Sequence, residues 1–232
     1  MYVAGMVRRT AQAAAATRHD LLEAALVTFA ECGYDAATLE GIAARASVTR
    51  GAVYHHFTDK ADLYDAVLRE QANQVMRPLL ASLVASGPPL QRLRRFVLAY
   101  CAALERDPRF RAVLELLLFG GGSVPSEARE KTRVGFGSWL EAFEGVLTEA
   151  HERGQLRPGV SPRAAALAVV ALIVGVTTTA LEAPDLASPA EAAPSLVDAL
   201  LGGIAARPVA SEPSASTVHE AETARKGDSD TP

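Results

Sequence analysis

Hydrophobic positions along this chain recur at intervals of three and four, and no stretch carries the two-residue alternation or β-branched runs of a strand. Between Thr17 and Tyr34, Leu22, Ala25, Leu26 and Phe29 form one apolar stripe, which predicts a helix stopped at Gly33. Leu39, Ile42, Ala43 and Ala46 repeat the pattern over one short segment with Thr38 as its N-cap, and Ala52 and Val53 over another, capped by Thr49. Phe57 closes this unit, and Thr58 and Asp59 precede a longer helix from Lys60, which Arg77-Pro78 is expected to bend or end beyond Met76. After the break at Gly87-Pro88-Pro89, helices are predicted over Leu90 to Glu105, Arg109 to Phe119 and Glu127 to Arg153. The first has Leu93, Phe96, Val97, Tyr100 and Cys101 inward, and the last has Phe136, Leu140, Phe143, Leu147 and Ala150 in line. Ser161-Pro162, a cap followed by proline at the first helical position, opens another helix over Ala164 to Leu181. Pro184 to Pro194 reads as a loop, and a last helix runs from Ser195 to Ala206. The prediction is therefore all-α, with about nine helices.

Helices as short as those at Thr38 and Thr49 cannot hold themselves in water and must lie on a third. Small residues at Ala43, Ala46 and Ala52 permit the close, steep crossing of a helix-turn-helix. In such a unit Arg50, Gly51, Tyr54 and His55 project away from the inward Ala52 and Val53.

The spaced set Thr38, Ile42, Ala43, Ala46, Val48, Gly51, Tyr54, His56, Phe57, Lys60 and Leu63 resembles the DNA-binding unit of the TetR/AcrR family of transcriptional regulators. One departure is Ser47, where many members carry glycine in the turn. Residues 1–16 read as a flexible basic arm that reaches a neighbouring phosphate or groove, with plain terminal disorder as the other reading, and the resemblance implies a DNA-binding domain over 17–63 and a helical ligand-binding and dimerisation domain over 64–206. It also implies DNA contacts from Thr38, Thr49, Arg50, Gly51, Tyr54, His55, His56 and Lys60, with Lys60 supplying charge at the DNA backbone. Arg18 resembles an arginine that members place near DNA, with an exposed surface charge as the other reading, and Met6-Val7-Arg8-Arg9-Thr10 resembles the start of several efflux repressors, which makes Met6 a candidate initiator.

Composition changes this picture in three places. The formal charge is −4, yet the first 60 residues are balanced, six basic against six acidic, so the deficit lies wholly behind them. An acidic body behind a neutral head turns the head toward DNA. Cys32 and Cys101 are too few and too distant for a disulfide framework, and the five histidines lack metal-ligand spacing, so no metal or cofactor is expected. No signal peptide is apparent, which fits a cytoplasmic protein, and the segment after Arg207, rich in Pro, Ser, Glu, Thr and Asp, is expected to be disordered (207–232). No grouping of Ser, His, Asp or Cys supports an enzyme.

One short reading helix buries too little surface to discriminate sequences alone, so a homodimer on a palindromic double-stranded operator is expected. By resemblance, the last two helices, Ala164-Leu181 and Ser195-Ala206, form the dimer interface. Ala164 to Leu181 is uncharged and long enough to span a membrane, but its alanines and lack of an aromatic belt favour a helix buried on all sides, in a core or a subunit interface. A small hydrophobic effector is expected among Phe96, Tyr100, Glu115, Phe119, Trp139, Phe143 and Thr177. The competing reading makes these aromatics plain core. A membrane-associated helical protein and a DNA-binding activator without small-molecule control are the alternative functions.

Overall fold

The computed structural model describes the backbone of residues 2–119 and 126–207 and the side chains of 12–119 and 137–207. Among them are nine helices: α1 (Tyr2–Ala36), α2 (Leu39–Arg45), α3 (Arg50–His56), α4 (Lys60–Leu83), α5 (Pro89–Arg106), α6 (Pro108–Phe119), α7 (Ser126–Glu152), α8 (Pro162–Glu182) and α9 (Pro189–Ile204). The Gly120–Gly122 stop, the side chain of Phe136 and the tail beyond Arg207 lie outside the described residues.

Local chemistry explains most helix limits. The hydroxyls of Thr38, Thr49 and Ser161 accept from the amides of Gly41, Ala52 and Ala164, and the Asp59 carboxylate accepts from Asp62. Gly33 interrupts α1 with φ 74°, so the expected stop is a kink followed by one more short turn. The start of α1 differs from expectation. Helix runs from Tyr2 through the stretch read as a flexible arm, because alanine, four in a row at 13–16, has the strongest intrinsic helix preference.

Two prolines mark further differences. Pro78 lies inside α4, which continues to Leu83 because Leu79, Leu80 and Leu83 beyond it still pack on the body core. Pro194 lies inside α9, whose true start is Ser188-Pro189, the same cap-and-proline pair that opens α8. Ser188 accepts from the Glu191 amide and its hydroxyl donates to Glu105 of α5, so the loop predicted over Pro184 to Pro194 is helix from Pro189 on.

Two apolar clusters make up the core. One joins Leu21, Phe29, Ile42, Val53, Phe57, Leu63, Tyr64 and Val67. The other joins Phe96, Tyr100, Leu104, Phe110, Phe143 and Leu147 with the inner sides of α8 and α9. The division does not fall at residue 63. Helix α4 splits along its length, with Val67 and Leu68 in the first cluster and Met76 and Leu83 in the second. Helix α6 splits across its section: Val113 and Leu116 pack into the head, while Phe110 and Leu114 pack into the body.

Within one chain, helix α8 is buried on one side, through Ala165, Ala166, Val169, Ile173, Thr177 and Ala180. Ala164, Leu167, Ala171, Gly175 and Thr179 face outward. Among the described residues it is the one helix long and apolar enough to cross a membrane, with a mean hydropathy of 2.3.

Between α2 and α3, Ser47 takes φ 57°, the left-handed conformation that costs a residue with a side chain about 1 kcal/mol and glycine nothing. Ser47→Gly is therefore expected to raise stability by up to about 1 kcal/mol, or about 2–4 °C in Tm, in thermal unfolding followed by circular dichroism.

Candidate nucleic-acid interface

Helices α2 and α3 have seven residues each. They are held by Ile42, Ala43 and Val53 against α1 and α4, with Phe29 and Tyr64 edge-to-face at 4.9 Å beneath them. With Val53 fully buried, α3 has one possible orientation, and Arg50, Gly51, Tyr54 and His55 are exposed. Tyr54 is 47% exposed, so it does not belong to the packing under the helix.

Gly51 has no internal reason to be glycine. A Cβ there would meet only the Thr49 hydroxyl, at an ordinary 3.8 Å, and the backbone is plainly helical. Glycine inside a helix costs about 1 kcal/mol relative to alanine, so its use suits the close approach of an outside surface. The hydroxyls of Thr38 and Thr49 remain exposed while capping their helices. His55 and His56 meet edge-to-face at 5.2 Å, and His56, half-buried, is held below the ordinary histidine pKa first by burial and then by the neighbouring His55 and Arg18.

The Arg50 guanidinium is already engaged. It pairs with Glu40 of α2 at 2.7 Å, donates to the Tyr54 hydroxyl at 3.2 Å, and stands 5.4 Å from the centre of the Tyr54 ring. The Tyr54 hydrogen bond and the Glu40 charge raise its pKa further. Glu40 was not among the residues expected here. It lies ten positions before Arg50, across the turn, where no helical spacing links the two.

Two expected DNA contacts have other work. The Lys60 ammonium donates to the carbonyls of Tyr34, Asp35 and Ala37 at 2.7, 3.2 and 3.1 Å and lies 4.5 Å from the Tyr34 ring centre. All three of its donors thus close the end of α1, where a positive charge is also favoured by the helix dipole. Arg18 makes a forked pair with Glu70 of α4 at 2.5 and 2.6 Å and covers the Phe57 ring at 5.2 Å, so its donors brace α1 against α4. Their types and positions matched a DNA-facing reading, and only packing shows that their partners are within the chain.

In the body, Phe96, Tyr100, Trp139 and Phe143 interlock with ring centres 5.1 to 6.4 Å apart, and Phe110 joins through Tyr100 at 5.1 Å. Thr177 donates to the Ile173 carbonyl, leaving its oxygen to accept from the Tyr100 hydroxyl at 2.7 Å. Burial pushes the Tyr100 phenol well above its usual pKa. Of the seven expected effector contacts, these five gather. Phe119 is 43% exposed with no ring contact to them, and Glu115 is half-buried with no polar partner among the described residues. No three His, Cys, Asp or Glu side chains among the described residues gather as a metal site.

Residues 21–67 match the model of bacterial regulatory proteins of the tetR family, and residues 89–206 match the C-terminal domain of BetI-type transcriptional repressors. The chain belongs to the TetR family. It is 30% identical over 163 residues to the A-factor receptor protein of Streptomyces griseus, covering 69% of this chain and 53% of that one. It is 32% identical over 189 residues to the transcriptional regulator TtgR of Pseudomonas putida, covering 78% and 87%. The chain thus spans about half the length of the first relative and most of the second. Among solved structures, SmeT of Stenotrophomonas maltophilia in complex with triclosan superposes with a TM-score of 0.75 at 31% identity, over 86% of this chain and 96% of that one.

In this TetR-family head, Lys60 serves the fold, so Lys60→Met, which keeps the stem over Tyr34, should lower stability by on the order of 1–2 kcal/mol in denaturant unfolding. The same variant should leave the salt dependence of DNA binding at the wild-type slope in fluorescence anisotropy titrations.

Proposed function

We propose that the protein is a cytoplasmic, ligand-responsive repressor, and not an enzyme, that binds a palindromic operator as a homodimer and leaves it when a small hydrophobic molecule occupies the body. The observation that carries this reading is the orientation of α3, with Val53 inside and Arg50, Gly51, Tyr54 and His55 presented to solvent. A helix of this kind enters the major groove, where a guanidinium pairs with both acceptors of a guanine. Thr38 and Thr49, which cap α2 and α3, and His56 at the end of α3 suit phosphate contacts, which fix register without reading sequence.

Dimerisation is supported by the outer side of α8. Its small residues border an apolar groove of about 330 Å³ between α8 and α9, lined by Ala171, Gly175, Thr179, Ala192 and Leu196. A second copy of the same face, related by a twofold axis, covers it and places two α3 helices on half-sites one turn of DNA, ~34 Å, or a multiple of that apart. Covering this face with a second copy also accounts for an apolar helix without invoking a membrane.

The effector reading is supported by the triclosan complex of SmeT and by the aromatic cluster around the Tyr100–Thr177 hydrogen bond. The rings are in mutual contact, so a ligand enters by displacing some of them. It releases DNA only by binding the DNA-incompetent arrangement more tightly than the competent one.

Selection of bound duplexes from a random pool is expected to return a palindrome. Arg50→Ala should then lose between about fivefold and a hundredfold of base preference at one position per half-site. Unchanged operator affinity with triclosan and a broad panel of hydrophobic compounds would count against ligand control. The double variant Ala171→Glu, Gly175→Glu should sediment as a folded monomer and bind the operator at least tenfold more weakly, whereas a dimer of normal affinity would place the interface elsewhere.

A further inference from the structure

Helix α6 meets the head through two kinds of contact. One is apolar, with Val113 and Leu116 packed into the cluster of α1 and α4. Apolar contact is non-directional, so a helix can turn on it at little cost. The other is polar and gathers on Arg109, the second residue of α6. Its Nε donates to the side-chain carbonyl of Gln71 in α4 at 2.8 Å. Its Nη2 donates to the side chains of Gln71 and Gln74 and pairs with Glu23 of α1 at 2.6 Å. Gln71 is fully buried, and its amide nitrogen donates to the same Glu23 oxygen at 3.1 Å. The Asp107 carboxylate accepts from the Arg109 amide at 2.9 Å, which fixes the start of α6 from which this side chain extends.

A planar guanidinium shared between acceptors on two other helices is satisfied at one mutual angle. Turning the head on the body would strand the buried Gln71 carbonyl, a costlier loss than sliding an apolar contact. Two heads held at one angle present their α3 helices at one separation and one mutual rotation. We propose that Arg109 is a positioning residue for operator geometry, and that the junction it closes with Gln71 and Glu23 sets the half-site spacing the dimer accepts, while α3 sets the bases. One base pair inserted at the centre of a palindrome moves the half-sites apart by about 3.4 Å and turns them by about 35°. A stiff junction resists following that change, whereas a soft one follows it cheaply. The inference rests on the dimeric DNA-binding reading above and needs no effector.

The test uses the full chain, the palindrome recovered from the random pool, and the same palindrome with one or two base pairs added or removed at its centre. Wild type should lose at least about tenfold in affinity for a change of one base pair, because both heads no longer engage together. The double variant Gln71→Met, Arg109→Met removes both partners of the bond while keeping two long side chains at the junction. It should recover roughly 2- to 30-fold of that loss, with base preference within each half-site unchanged. Cys32 is exposed on α1 and Cys101 is buried, so a nitroxide on the native Cys32 reports the distance between heads by pulsed electron paramagnetic resonance. The distribution should be narrow in wild type and broader in the double variant. Wild type indifferent to spacing, a double variant as strict as wild type, or equal distance distributions would each overturn the proposal. Arg109→Met alone gives the same two readouts if the double variant melts early. A chain that binds no duplex sinks the DNA reading, and the lack of any dipolar signal between heads sinks the dimer. Normal binding with an unaltered spacing preference sinks only the role of Arg109.

Discussion

The structure depends on a shortage of helix. Two helices of seven residues can form few internal hydrogen bonds for the entropy they cost, so α2 and α3 exist only because a neighbouring surface holds them. That surface is made by Leu21, Leu22, Leu26 and Phe29 of α1 with Leu63, Tyr64 and Val67 of α4. Ile42 and Val53, each fully buried, are the points where the two short helices are fixed to it. Because Val53 occupies the inner position, Arg50, Gly51, Tyr54 and His55 are committed to solvent, and the surface they form is a consequence of the core beneath it.

The same need for support explains why charged side chains near the head are so often occupied. Lys60 closes the end of α1, Arg18 joins α1 to Glu70 of α4, and Arg45 pairs with Glu31. These contacts hold the frame in which Arg50 and Tyr54 are displayed. The head is also continuous with the body. The fully buried Gln71 of α4 accepts from Arg109 of α6 and donates to Glu23 of α1, and Arg109 pairs with Glu23 at 2.6 Å. With Val113 and Leu116 seated in the head and Phe110 against Tyr100, α6 lies between the aromatic cluster and the support of α3. In the proposed effector reading, a ligand that separated those rings would act on the element that braces the head.

The helices were legible where the signals were local. Apolar spacing marked the buried sides of α1, α5 and α7, and the hydroxyl caps at Thr38, Thr49 and Ser161 marked helix starts correctly. Local signals failed where two of them conflicted. At α9, the prolines made Pro184 to Pro194 read as a loop although Ser188-Pro189 opens a helix that runs through Pro194, and at α4 Pro78 was expected to bend or end a helix that the leucines beyond it keep in the core.

By itself, the sequence determined the all-α class, the helix-turn-helix and the residues that α3 turns outward, because periodicity, capping and side-chain size act over a few positions. Tertiary structure alone decided which of the charges are available. Lys60 and Arg18 resemble DNA contacts until their partners 23 to 52 residues away appear, and Glu40 has no visible tie to Arg50 until α2 and α3 cross. The physical reason is that a charge is defined by what stands within a few ångströms of it, and in a helical protein those neighbours come from other helices.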